Sequence, residues 1–128
     1  MSAVHEERLR RRLQERRRVH RRELEEELPR LVEELKAIGV ERAILFGSVV
    51  RRTIGLTSVL VIWDTPMGFL ERTAFLYRRL NPRVPVDLFV YTPEEIRRLA
   101  DHPFIRQALA EGETVYAAGS ESGGPPLA

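Results

Sequence analysis

Apolar residues follow a helical period through the first third of the chain and then gather in short runs. Leu24, Leu28, Leu31, Leu35 and Ile38 alternate four- and three-residue spacing among strong helix formers, which predicts a helix over 3–38 with one apolar face. Pro29 falls inside that stretch. It has no amide hydrogen to donate and disfavours helical geometry at Leu28, which predicts a kink or a new helix beginning there. Before Glu23 the stripe thins to Val4, Leu9, Leu13 and Val19. Residues 1–22 therefore read as a helical extension that projects or dimerises, and 23–118 as the body of the domain. Gly39 sits just past the helix end, where a left-handed residue is favoured.

Three runs then have the length and composition of interior strands: Arg42–Phe46 (RAILF), Val59–Trp63 (VLVIW) and Val86–Tyr91 (VDLFVY). Between the second and third, Phe69, Leu70, Thr73, Leu76, Tyr77 and Leu80 recur at helical spacing, and Asn81-Pro82 closes that helix. Thr92-Pro93-Glu94-Glu95 offers an N-cap, a proline at the first helical position and two acids for the positive end of the helix dipole. A helix is expected from there to about Asp101, another over Pro103–Glu111, and a fourth strand over Glu113–Ala117. The segment 119–128, GSESGGPPLA, has almost nothing to bury and is expected to be disordered. The predicted class is α/β (α+β): a mixed sheet of about four strands flanked by helices, behind a long N-terminal helix.

A length of 128 residues suits one domain around one core. With 43% hydrophobic and 31% charged residues the composition is that expected of an ordinary soluble globular protein, and no run approaches the ~18 apolar residues that would cross a bilayer. The N-terminus has no apolar segment of the secretory type and there is no cysteine for a disulfide, so a cytoplasmic location with no membrane role is expected. The net charge of +2 conceals an uneven distribution, because nine arginines and one glutamate lie between Arg8 and Arg22. Such a block could track a phosphate backbone by counterion release; the favoured reading is a solvated helix balanced by Glu23, Glu25, Glu26 and Glu27.

The candidate chemistry lies in FGSVVRRTIGLTSVLVIWD, residues 46–64. Gly47, directly after a strand, lets the backbone pass close to a bulky anion. Ser48, with the amides of a following turn, can donate to phosphate oxygens, and Arg51 can add charge one turn later. Asp87 interrupts an apolar strand on the face of Phe89 and Tyr91, where a carboxylate needs an arginine, a metal or an exposed edge. Asp64 lies five residues beyond Val59, roughly 16 Å along a strand, too far to share a metal site with residues at its start. His5, His20 and His102 have no metal-ligand spacing.

The order of elements, the Gly-Ser turn in ILFGSVVR, Ser58 ten residues after Ser48, and VDLFVYTPEE together resemble the minimal nucleotidyltransferases of the DNA polymerase beta superfamily, over about Leu24 to Ala118. Arg52 stands where that family usually has glycine. The family carries Ser-Asp-x-Asp on the second strand and a third aspartate on a later one. Its two strand aspartates correspond by spacing from the Gly-Ser turn to Val59 and Val61, which cannot ligate a metal. In a second alignment, slightly favoured, Asp-x-Asp is missing after Ser58, and VLVIWD then matches the apolar run that follows the acids. Both alignments remove the same two ligands.

The resemblance implies a nucleoside triphosphate such as ATP as substrate and transfer of its nucleoside monophosphate to an acceptor hydroxyl. It implies Gly47, Ser48 and Arg51 as phosphate contacts and Asp87 as the one remaining catalytic and metal-binding carboxylate. The Mg2+ site would be weak or lost and the transferase activity impaired. Small members of the family commonly pair with an all-helical protein in toxin–antitoxin systems, so the alternative is a regulatory, antitoxin-type binding partner. A homodimer and a nucleic-acid-binding Arg-rich helix are further readings.

Overall fold

Alternation of side chains along four strands divides the core in two. The computed structural model describes residues 2–46 and 57–119. Strands β1 (Arg42–Phe46), β2 (Thr57–Ile62), β3 (Val86–Tyr91) and β4 (Glu113–Ala117) form one mixed sheet in the order β3-β2-β1-β4. β1 is antiparallel to β2 and β4, and β2 is parallel to β3. Successive side chains point to opposite faces. Ala43, Val59, Val61, Leu88 and Val90 thus meet α1 (Ser2–Ile38) and α2 (Phe69–Leu80) through Leu24, Leu31, Leu35, Leu76 and Leu80. Ile44, Phe46 and Leu60 face the other way, onto Ile105 and Ala108 of α4 (Pro103–Glu111), with Ile96 of α3 (Pro93–Arg98) at the margin. The expected class, a mixed four-stranded sheet flanked by helices with a long N-terminal helix, is the observed one.

Several boundaries differ from the expectation. Helix α1 neither stops nor restarts at Pro29 but is continuous from Ser2 to Ile38. An interior proline costs about 3 kcal/mol, and the burial of Leu24 on one side and of Leu31 and Leu35 on the other offsets it. The helix then closes on Gly39 at φ 95°, with Val40 N–H donating to Leu35 O (3.3 Å) and Gly39 N–H to Lys36 O (3.2 Å). Strand β2 begins at Thr57, two residues before its apolar run, because Phe46 and Asp87 supply partners for Ser58 on both sides. Helix α3 ends at Arg98 instead of near Asp101. On α2 the buried side chains are Arg72, Leu76 and Leu80, whereas Phe69 and Leu70 are exposed. Residues 120–128 lie outside the described residues, and with them nearly all of the tail expected to be disordered. No helix among the described residues is long and apolar enough to cross a membrane.

Helix α2 also protects the outer edge of the sheet. The Tyr77 hydroxyl donates to Val86 O (3.1 Å) and accepts from Leu88 N–H (2.9 Å), while Arg72 Nη1 donates to Val90 O (3.1 Å). These bonds occupy backbone groups of β3 that would otherwise present a template for another strand.

A buried carboxylate fixes α1 against the approach to β3. Glu27 accepts from Arg30 Nε (3.1 Å) and Nη2 (2.6 Å) and from the Arg83 amide (2.8 Å). The hydrogen bonds from Arg30 outweigh the cost of burial and hold the carboxyl down at about 2, from an ordinary 4.5. Because the folded value is depressed, the stabilisation is complete above the unfolded value and disappears as pH falls from about 4.5 to about 2. Glu27→Gln is expected to lose up to about 3 kcal/mol at neutral pH. Denaturant melts of both proteins should converge as pH falls through that window; a gap independent of pH would place the loss elsewhere than in the ionised carboxylate.

Candidate functional site

Strand register assembles the site. Phe46 pairs with Ser58 across β1 and β2, and Ser58 pairs with Asp87 across β2 and β3, so the three form one transverse row. Neighbouring strands lie ~4.8 Å apart, which sets the backbone spacing of Ser58 and Asp87. Alternation turns all three side chains to the face covered by α3 and α4. Ser58 is buried and Asp87, on the edge strand, is half-buried. Gly47 follows Phe46 directly in the sequence. Gly47, Ser48 and Arg51, the expected phosphate contacts, and Arg52 with them, lie outside the described residues.

Aromatic rings line the same face. Phe46 and Phe104 stand 5.4 Å apart, Phe89 and Phe104 4.9 Å, and Phe46 and Phe89 6.2 Å between ring centroids. They form an apolar platform next to the Ser58–Asp87 pair. The Asp87 carboxylate makes no hydrogen bond or ion pair with any other described side chain or backbone group. An arginine partner, the ordinary reason for a carboxylate on an apolar strand, is therefore absent among the described residues.

Val59 and Val61 lie on the other face. They are 6% and 0% exposed and belong to the layer under α1 and α2, paired with Leu88 and Val90. Acids at those two positions would point away from Asp87. If three residues were present between Ser58 and Val59, the last of them would take the strand position that Ser58 now occupies, in register with Asp87 and on its face.

Among the described residues no three His, Cys, Asp or Glu side chains gather as a metal-binding group. Asp87 and Ser58 offer one carboxylate and one hydroxyl, a donor set that does not fit two magnesium ions about 4 Å apart. Two of the three histidines have other partners: His20 Nε2 lies 3.0 Å from Thr57 Oγ1, and His102 Nδ1 accepts from Phe104 N–H (3.2 Å) at the start of α4. Asp64 is exposed beyond the far end of β2.

One charged node was not anticipated from the sequence. The buried Arg72 guanidinium donates to both oxygens of Glu95 (2.6 and 3.2 Å), to Met67 O (3.1 Å) and to Val90 O. Glu95 also closes a capping box with Thr92 at the start of α3. The hydrogen bonds from Arg72 hold the Glu95 carboxyl below its ordinary range against the opposing effect of burial. The available signal was Arg72 standing four residues before Leu76 and eight before Leu80, on the buried stripe of α2.

No family model, curated protein or solved structure matches the chain.

Proposed function

We propose that this chain is a nucleotidyltransferase-fold protein. Its ancestral chemistry is the transfer of a nucleoside monophosphate from a triphosphate to an acceptor hydroxyl, and the chain has lost most of that activity. The observation that carries this reading is the register of Phe46, the residue that precedes Gly47-Ser48 in the sequence, with Ser58 and of Ser58 with Asp87. That arrangement supports a triphosphate held between the Gly-Ser turn and the one remaining carboxylate. It also favours deletion over substitution as the way the other two acids were lost, since only the deletion alignment puts an acid beside Asp87.

Asp87 and Ser58 hold at most one divalent ion, weakly, when a triphosphate shares it. Titration of the chain with magnesium-ATP should therefore give saturable binding in the millimolar range that Ser48→Ala and Asp87→Ala each abolish. Transfer of α-phosphate label to protein acceptors should not exceed a trace. Robust label incorporation that Asp87→Ala removes would overturn the proposed impairment, and the absence of any magnesium-ATP binding would overturn the nucleotide reading itself.

A further inference from the structure

The N-terminal half of α1 is an arm. From Ala3 to Val19 every side chain among the described residues is exposed except Leu13, which is half-buried. Among the described residues the helix first meets the body where His20 reaches Thr57 and Leu24 enters the core. Glu7 lies 3.6 and 3.5 Å from Arg10 and Arg11, and Glu15 lies 3.4 Å from Arg18, all at the surface. Arg8, Arg12, Arg21 and Arg22 have no carboxylate within ion-pair distance among the described residues.

Helical geometry gathers four of these arginines on one side, with Glu15 among them. At about 100° per residue, Arg8, Arg11, Arg18 and Arg22 fall within an arc of about 80°, opposite the stripe of Leu9, Leu13, His20 and Leu24. From Arg8 to Arg22 the row spans about 21 Å, the length of about six phosphates along one strand of a duplex. Val4 and Val19 fall among the arginines and not with Leu9 and Leu13, so the arm lacks the single broad apolar face that seats a helix in a bilayer surface. Guanidinium groups in an exposed row match phosphodiester oxygens in charge and in their paired donor geometry.

We propose that the α1 arm from Arg8 to Arg22 binds nucleic acid through its backbone phosphates. Four phosphate contacts give a log–log salt slope of about −3.6 on a duplex, a loss of about a hundredfold in affinity between 50 and 200 mM salt. Fluorescence anisotropy of the full chain with labelled duplex DNA, duplex RNA and single-stranded RNA of about two helical turns reads this, and the form held most tightly identifies the source. Replacing Arg8, Arg11, Arg18 and Arg22 by glutamine should weaken binding at least about tenfold at 50 mM salt and remove most of the slope, without moving the thermal midpoint; lysine at the same positions should keep the slope. Absence of binding at 50 mM salt, equal binding by the glutamine variant, or tighter binding to phosphatidylserine vesicles or an acidic protein than to any of the nucleic acids would overturn the proposal.

Discussion

Arg72→Met should destabilise the domain by about 3 kcal/mol, a large share of the roughly 5–15 kcal/mol available to a domain of this kind. The substitution removes a charge that is 6% exposed and leaves Glu95, itself 23% exposed, without its counter-ion. Breaking a buried pair typically costs about 3–5 kcal/mol, and partial access of water to Glu95 argues for the lower end. Val90 O and Met67 O lose donors in the same step, so α2, the end of β3 and the start of α3 loosen together. Denaturant melts of Arg72→Met, Glu95→Gln and the double variant should show a coupling of about 1–2 kcal/mol, with the double variant more stable than the sum of the singles implies. Strict additivity would mean that solvent already screens the pair.

This node shows where sequence reading stops. Strands β1, β3 and β4 and helices α2 and α4 were legible because their apolar residues recur at the strand or helix period and Gly or Pro punctuates their ends. Arg72 and Glu95 are 23 positions apart. Arg72 looks like one of many helical arginines until its four-residue spacing to Leu76 is read as burial. At Pro29 the restart is the expectation that failed, for a related reason: the local cost of a missing amide was legible, while the compensating burial of Leu24, Leu31 and Leu35 that keeps the helix continuous is tertiary.

The candidate site was half legible. Alternation along β3 put Asp87 on the face of Phe89 and Tyr91, as observed. The relation of that face to Val59 and Val61 was not accessible, because periodicity within a strand does not state its offset from the next. A slip of one residue between β2 and β3 would have put the valines on the face of Asp87. The pairing of Ser58 with Asp87 removes that freedom and makes the two alignments experimentally distinct.

Inserting Asp-Leu-Asp between Ser58 and Val59 should raise magnesium-dependent transfer of label from ATP by at least about a thousandfold, equivalent to about 4 kcal/mol of transition-state stabilisation. The second aspartate takes the strand position in register with Asp87. The first lies two residues earlier on the same face, and the leucine between them turns toward Val86 and the apolar layer under α1 and α2. Asn-Leu-Asn at the same place should leave transfer at a trace, which separates carboxylate chemistry from loop length. Val59→Asp with Val61→Asp should gain nothing and unfold the domain, because both carboxylates enter a dry layer opposite Asp87 at a cost of several kcal/mol each. Activity from the double substitution in place of the insertion would select the other alignment, and a silent insertion in a folded protein would remove the case for a nucleotidyl-transferring ancestor.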